Sequence, residues 1–213
     1  QAEPSGDSVE DAQDPKARAT SSSALPPPPP DTILPLMQVF VNDKPIRGAS
    51  IADYCDAVWL EGGANARPFF APWLESCGKF NISVGGWEEV ESPSSSAPSF
   101  VNQWDGETYD RMRTVTFTTQ RSGIGPSTAD ATQIHRLRVE GNDRCIVSIT
   151  VHMNVPFGDS FEVQVRWVVS RAGVDELSVS VGMLVIFNKS CFVENKIRTN
   201  TTKETIKGQT NLF

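Results

Sequence analysis

The most constraining feature of the sequence is the segment 144–187, in which apolar and polar residues alternate along three successive stretches. Side chains at positions i and i+2 lie on the same face of a strand, so this pattern predicts three strands that each have one apolar face. A sheet with such a face needs a cover, and a gap under the cover would hold a ligand. The apolar positions are Cys145, Val147, Ile149, Val151, Met153 and Val155, then Phe161, Val163, Val165, Trp167 and Val169, then Leu177, Val179, Val181, Met183, Val185 and Phe187.

The polar positions between these residues define the opposite face of the same three strands. They are Ser148, Thr150, His152, Glu162, Gln164, Arg166, Ser178 and Ser180. One face of an antiparallel sheet is commonly solvated, so we expect this face to contact water. We expect His152 to have no functional role there.

Two short helices are predicted ahead of the strand-rich part of the chain. A strand covers residues 36–41, and Ser50 is a candidate N-cap for apolar residues at helical spacing. Pro68 then opens a second short helix that ends at Gly78. About six strands follow, the first of them over residues 81–90.

After Phe187 the pattern changes to a weak helical stripe formed by Phe192, Val193, Ile197 and Ile206. Its threonines lower the intrinsic helix propensity, so this helix needs the sheet beneath it. The order of elements predicts an α+β fold with a curved antiparallel sheet of about six to seven strands. Two short helices follow the first strand, and a C-terminal helix lies across the sheet and encloses an apolar cavity.

The first 31 residues differ in composition from the rest of the chain. They contain six acidic and two basic residues, a serine cluster and the proline run 26–30. With so few large apolar residues the segment cannot offset its ordering entropy, so we predict a disordered acidic, proline-rich linker over residues 1–31. The folded domain then covers residues 32–213.

Charge and motifs exclude several function classes. The domain retains 17 basic and 20 acidic residues, and this near-neutral balance argues against nucleic-acid binding. The four cysteines lie far apart without metal-ligand spacing, so we expect reduced thiols, no zinc and no other cofactor. The sequence contains no nucleophile elbow, phosphate-binding loop or dinucleotide fingerprint, which predicts that the protein is not an enzyme.

Two motifs lie in the second half of the chain. The first consists of Val155, Pro156, Phe157, Gly158, Asp159 and Phe161, and the second of Lys189, Ser190, Phe192, Lys196 and Ile197. Pro156 fixes φ and Gly158 permits a positive φ, so the first motif is a turn and has a structural role. Both motifs resemble those of the VASt domain, a StART-like lipid-transfer module found in sterol transporters and in GRAM-domain proteins. Asn154 stands where the family usually has Asp, and the resemblance covers about residues 36–213.

The resemblance implies a helix-grip fold that extracts a sterol or similar apolar lipid from one membrane and delivers it to another. It also implies a larger GRAM-containing, membrane-anchored protein that acts in the cytoplasm at membrane contact sites. In this sequence the best candidate for a lid over the cavity is the segment 61–67. Gly62 and Gly63 give it backbone freedom, and Arg67 is a candidate contact to an anionic membrane surface.

The candidate ligand contacts combine the aromatic residues of the short helices with inward positions of the strands. Gln133 and His135 share the parity of Leu137, so either is a candidate partner for a sterol hydroxyl, or else a polar residue satisfied by the protein. The full set is Tyr54, Val58, Trp59, Gly62, Gly63, Phe69, Phe70, Trp73, Val115, Phe117, Gln133, His135, Met153, Val165, Trp167, Met183 and Ile197.

Two other functions are compatible with the same pattern. One is an interaction module with a closed cavity, which binds a protein or a different lipid. The other is a StART-like enzyme, which would require a polar pocket with a buried, titration-shifted carboxylate or histidine.

Overall fold

The computed structural model describes residues 38–60, 68–90, 109–121 and 126–210, which form an antiparallel sheet with helices on its inner face. The strands are β1 (Gln38–Arg47), β2 (Lys79–Val84), β3 (Glu88–Glu89), β4 (Arg111–Gln120), β5 (Thr128–Glu140), β6 (Arg144–Met153), β7 (Phe161–Arg171) and β8 (Glu176–Phe187). The helices are α1 (Ile51–Tyr54), which continues as a π-helix over Cys55–Leu60, then α2 (Phe70–Ser76), a 3₁₀ turn (Gly158–Ser160) and α3 (Glu194–Thr210). The fold is α+β, as the sequence predicts. The predicted linker over residues 1–31 lies outside the described residues.

Strand order places the two ends of the helical segment at opposite edges of the sheet. The order is β1-β8-β7-β6-β5-β4-β2, with β3 also paired to β4. Strands β4 to β8 are joined in sequence as antiparallel neighbours, whereas β1 pairs with β8. The helices over 51–60 and 70–76 therefore come between the two edge strands in the chain, and their buried residues enter the core.

The predicted apolar face of strands β6 to β8 is confirmed as the inner face. Val147, Val169, Val179 and Val181 are fully buried there. The ring of Trp167 meets that of Trp59 from the π-helix edge-on, with centroids 5.7 Å apart. The helices thus supply the cover that this face requires.

The prediction that the opposite face is solvated is wrong for the centre of the sheet. Arg166 is only 1% exposed, and Arg136 Nη1 donates to Thr150 Oγ1 across strands at 3.1 Å. Gln164 Nε2 likewise donates to Glu162 Oε1. On central strands long polar side chains lie over their neighbours and bond to them, which alternation alone does not reveal. The buried polar residues of this face are Ser148, Thr150, Glu162, Gln164 and Arg166.

The sheet has eight strands where about six to seven were predicted, because the stretch 81–90 forms two. The break follows Gly85, whose N–H donates to Thr114 O at 2.9 Å. A Cβ at this position would lie 2.8 Å from the same oxygen, so glycine permits the close approach. The chain then re-enters the sheet as β3, which pairs with the start of β4.

Strand β1 extends beyond the predicted end at residue 41, and residues 36–37 lie outside the described part. The register to β8 shifts between Val41 and Lys44, where Asp43 adopts a left-handed conformation with φ of 49°. The Asp43 carboxylate accepts a hydrogen bond from Ser178 Oγ at 3.1 Å. This bulge lets the edge strand continue, a feature that the sequence pattern did not indicate.

The predicted start of the first helix and the predicted end of the second agree with the structure, whereas Pro68 does not open the second helix, because α2 begins at Phe70 with Phe69 as its N-cap. Ser50 caps α1 in a capping box: its Oγ accepts from Asp53 N at 3.2 Å, and its own N–H donates to Asp53 Oδ2 at 3.0 Å. The second short helix ends just before Gly78, which has φ of 74°. The continuation of α1 as a π-helix was not predicted.

The turn between β6 and β7 differs from its prediction in one respect. The residue with positive φ is Phe157, at 66°, whereas Gly158 is required for space. A Cβ on Gly158 would collide with the carbonyl oxygen of Met153. Because that oxygen belongs to the end of β6, the backbone cannot move away without disturbing the sheet.

We predict that Gly158→Ala lowers the free energy of unfolding by about 1–3 kcal/mol, the usual cost of overpacking. Gly86→Ala is the matched control, because nothing lies within 4 Å of a Cβ built there. Urea denaturation of both variants measures the difference. Equal midpoints for the two variants would show that the close approach at Gly158 is not a constraint.

Candidate functional site

A pocket of about 570 Å³ lies between the inner face of the sheet and the helices α2 and α3. Its floor is apolar, because it is formed by inward positions of strands β4 to β7. These are Phe117, Ala131, Ile149, Val151, Val163 and Val165. Ile149, Val151, Val163 and Val165 belong to the apolar face that the alternating pattern over 144–187 predicts, and Phe117 and Ala131 extend it onto β4 and β5.

The wall opposite the floor is polar. It is formed by α3, whose apolar residues Ile197 and Ile206 are only half-buried. The α3 residues that line the pocket beyond Ile197 are Asn200, Thr201, Lys203, Glu204, Thr205, Lys207, Gly208 and Gln209. The pocket therefore pairs an apolar surface with a row of polar and charged groups, in which Lys203 and Lys207 are basic and Glu204 is acidic.

Helix α3 is attached near both ends, and the pocket lies beneath it from Ile197 to Gln209. Near its start, Arg198 Nη1 donates to Val185 O at 2.7 Å, and the guanidinium lies 5.1 Å from the centre of the Phe187 ring. Near its end, the Cys77 thiol contacts Gly208 O at 3.7 Å and Gln209 is buried. Polar contacts thus hold a helix whose own apolar stripe is weak.

A buried polar cluster lies in the core behind the pocket and reaches it through Gln133. Arg113 Nε donates to His135 Nδ1 at 3.3 Å, and His135 Nε2 lies 2.9 Å from Gln133 Oε1. A guanidinium only donates, so Nδ1 is the acceptor and the ring proton sits on Nε2. That proton is donated to Gln133 Oε1. The amide nitrogen is then the group that Gln133 can offer to the pocket it lines.

Aromatic residues of the short helices, together with Trp87 between β2 and β3, enclose this cluster. The Arg113 guanidinium lies 4.6 Å from the centre of the Trp87 ring and 5.0 Å from that of Phe70. Phe70 also meets the His135 ring at 4.7 Å. Arg113 Nη1 and Trp87 Nε1 both donate to Trp59 O, at 3.2 and 2.7 Å. Much of the aromatic content of the helices therefore surrounds a buried cation.

The structure brings six of the predicted ligand contacts together in the pocket wall: Trp73, Phe117, Gln133, Met153, Val165 and Ile197. Nine others pack in the core outside the pocket wall: Tyr54, Val58, Trp59, Phe69, Phe70, Val115, His135, Trp167 and Met183. The lid segment with Gly62, Gly63 and Arg67 lies outside the described residues.

Sequence reasoning missed two parts of the site. Arg113 shares the inward parity of Val115 and Phe117, so the alternation of β4 held the signal for a buried cation. Ile149, Val151 and Val163 were placed on the apolar face but not in a pocket. Which part of an apolar face stays uncovered depends on where α3 lies, and the sequence does not encode that locally.

Burial lowers the pKa of two groups near the site and of one histidine on the opposite face of the sheet. Desolvation, with the nearby Arg113, holds the pKa of His135 well below its ordinary value of 6.5. Burial also lowers the pKa of Lys79, whose Nζ donates to Thr119 Oγ1 at 2.8 Å. On the opposite face of the sheet, the pKa of His152 is lowered by burial and by Arg136.

An antiparallel sheet that carries a C-terminal helix and a few short helices is consistent with an α+β fold of the helix-grip kind. The chain belongs to the VASt family: the model of the VAD1 Analog of StAR-related lipid transfer domain matches residues 50–204. The match includes the strands of the pocket floor and most of α3. This match confirms the family that the sequence motifs suggested. Domains of this family are StART-like and bind lipids.

Comparison with curated proteins gave no match. Within the described ranges, no helix combines the length and hydrophobicity needed to cross a membrane.

The neutral state of His135 predicts a pH dependence of stability. The unfolded chain binds a proton below about pH 6.5 while the folded ring resists protonation, so stability falls as pH decreases from there. We expect His135→Gln to flatten the dependence between pH 7 and 5 by at most about 1.4 kcal/mol per pH unit. Urea unfolding at several pH values measures the slope.

His152→Gln is the matched control for this measurement. Its pKa is lowered in the same direction, but the ring is half-buried, so we expect a smaller change in slope. Burial raises the pKa of Glu162, so the folded state binds this proton more tightly than the unfolded chain does. The contribution of Glu162 to stability therefore increases as pH falls, which opposes the effect of the histidine equally in both variants. A slope that is the same in the wild type and in His135→Gln would contradict the buried neutral histidine.

Proposed function

We propose that this domain binds a sterol in the pocket beneath α3 and transfers it between membranes. The observation that carries the proposal is a pocket of about 570 Å³ with an apolar floor and the amide group of Gln133 beside that floor. Ligand pockets for small molecules commonly measure roughly 300–1,000 Å³, so the size suits a compact apolar lipid. The lipid-binding family of the chain supports the same function.

Apolar burial supplies the driving force for uptake. Each Å² of lipid surface removed from water contributes about 25 cal/mol, and the floor of valine, isoleucine and phenylalanine side chains receives that surface. A bilayer offers the lipid a similar gain, so exchange between membrane and pocket is close to balanced. Transfer of this kind requires no covalent chemistry.

Gln133 is the group that we assign to the sterol hydroxyl. His135 occupies its oxygen, so its amide nitrogen donates to the hydroxyl oxygen of the ligand. Arg113 fixes the histidine tautomer and thereby the orientation of the amide. His135 then acts behind the pocket wall as a positioning residue, although the sequence made it an equal candidate for direct contact.

The remaining expectations extend this proposal beyond the described residues. Gly62 and Gly63 give the segment 61–67 the freedom of a lid, and Arg67 contacts anionic head groups. The domain works in the cytoplasm at membrane contact sites, within a larger membrane-anchored protein that contains a GRAM domain. Two of the predicted aromatic contacts, Phe70 and Trp59, instead enclose Arg113 in the core.

A second candidate function is transfer of a lipid with a larger polar head group. The polar and basic residues that α3 presents to the pocket favour it, since Lys203 and Lys207 can meet a phosphate or carboxylate. In this alternative the apolar floor holds an acyl chain. A pocket of this size does not favour the closed interaction module.

We predict that the wild type moves a fluorescent sterol between liposomes and that Gln133→Leu binds sterol about tenfold more weakly, because one hydrogen bond is lost. The control ligand is the parent hydrocarbon, which has the same rings and no hydroxyl. Gln133→Leu should bind it as well as the wild type does. Thr132→Val, on the outer face of β5, is the control variant.

Titration of each variant with both ligands separates the outcomes. A wild type that neither binds nor transfers sterol while folded contradicts sterol transfer, and binding of a phospholipid instead would establish the second candidate. A Gln133→Leu variant that loses affinity for both ligands equally would assign Gln133 a structural role.

A further inference from the structure

Two exposed phenylalanine rings stand in contact at the end of the sheet beside the pocket. Phe157 is 40% exposed and Phe192 is 90% exposed, and their ring centroids lie 5.6 Å apart at 89°. Phe157 lies in the turn between β6 and β7, and Phe192 just precedes α3. Val155 and Pro156, the residues before Phe157, line the pocket. The exposed pair and the pocket wall are therefore continuous.

The segments that carry the two rings are fastened to each other. The N–H of Asn188 donates to Ser160 O at 3.0 Å, and its Nδ2 donates to Asp159 O at 3.3 Å. Lys189 Nζ also pairs with Asp159 Oδ2 at 2.9 Å. These bonds fix the two segments relative to each other before any partner is bound. Little conformational entropy is therefore lost when both rings bind a partner together.

The backbone at Phe157 points to a role for its ring outside the core. Its φ of 66° is a conformation that bulky residues rarely adopt and that asparagine adopts more readily. Core packing does not fully account for the aromatic side chain, because Phe157 is 40% exposed and the ring it contacts, that of Phe192, is itself exposed. Strained positions of this kind persist where the surrounding structure enforces them, and they cluster at functional sites.

Basic side chains outnumber acidic ones in the segments that carry the pair. Lys189 and Lys196 are exposed three and four positions from Phe192 in the chain, and Lys189 also pairs with Asp159. Helix α3 as a whole carries four basic and two acidic residues, and Lys203 and Lys207 line the pocket. Aromatic rings flanked by lysines match the interface of a bilayer with anionic head groups, where rings enter the acyl boundary and ammonium groups stay at the surface.

We infer that Phe157 and Phe192 form a wedge that inserts into an anionic phospholipid bilayer and brings the pocket to the membrane surface. The inference extends the proposed lipid transfer, because a lipid passing between bilayer and pocket then avoids bulk water. Docking itself requires no cargo and is measured separately from sterol binding.

The test is co-sedimentation of the full chain with phosphatidylcholine vesicles, with and without phosphatidylserine. We expect the double variant Phe157→Asn/Phe192→Ser to lower the partition coefficient at least about tenfold, because two inserted rings are lost. Asparagine suits the left-handed backbone at position 157, and circular dichroism and thermal unfolding confirm that the variant folds. Single variants at each position show whether both rings contribute.

Val174→Ser is the matched control, because Val174 is 95% exposed in the turn between β7 and β8, at the opposite end of these strands. It should bind vesicles as the wild type does. Wild-type partitioning of the double variant overturns the wedge, as does an equal loss in Val174→Ser. If the wild type binds vesicles with and without phosphatidylserine equally well, the proposed role of the lysines is overturned.

A third measurement separates this inference from the proposed function. Sterol supplied from cyclodextrin loads the pocket without a bilayer, so the double variant should load as the wild type does while losing vesicle binding. If the wild type fails to load sterol but docks through the two rings, sterol transfer fails and the wedge stands. Failure of the double variant to load sterol, with vesicle binding intact, overturns the wedge.

Discussion

Burial of the inner face of the sheet is the constraint on which the rest of the structure depends. Five consecutive antiparallel strands, β4 to β8, turn their apolar side chains to one side, and in the described residues the π-helix, α2 and α3 cover them. The π-helix and α2 cover one region with Trp59, Phe70 and Trp73. The region under α3 keeps a pocket, because that helix presents polar side chains and packs through few apolar ones.

The cover over the first region has its own requirement. Arg113 lies on the inner face, so the aromatic rings that enclose it must also desolvate a cation. Hydrogen bonds to His135 Nδ1 and Trp59 O, together with the rings of Phe70 and Trp87, meet that requirement. The same chain of bonds orients Gln133 at the pocket wall, which couples the packing of the core to the chemistry of the pocket.

Particular residues show which features could be predicted from the sequence. Alternation located the inner face from Cys145 to Val185, because the side-chain period of a strand is a local property. Ser50 and Gly78 gave the helix boundaries, since capping is also local. The burial of Arg166 and Glu162 was missed, because it depends on neighbouring strands whose register no local pattern reveals. The split at Gly85 was missed because it depends on Thr114, 29 positions away.

The sequence by itself determined the fold class, the apolar face and, through the turn at residues 155–161, the resemblance to the family that the match over residues 50–204 then established. The tertiary structure decided which part of that face remains open and which polar group reaches it. Trp73 and Gln133 lie in the pocket wall, whereas Trp59 and His135 do not. The sequence pattern alone did not distinguish the two tryptophans from each other, or Gln133 from His135. The reason is physical: strand periodicity fixes the direction of a side chain, whereas its distance from α3 is fixed only when the two ends of that helix are attached.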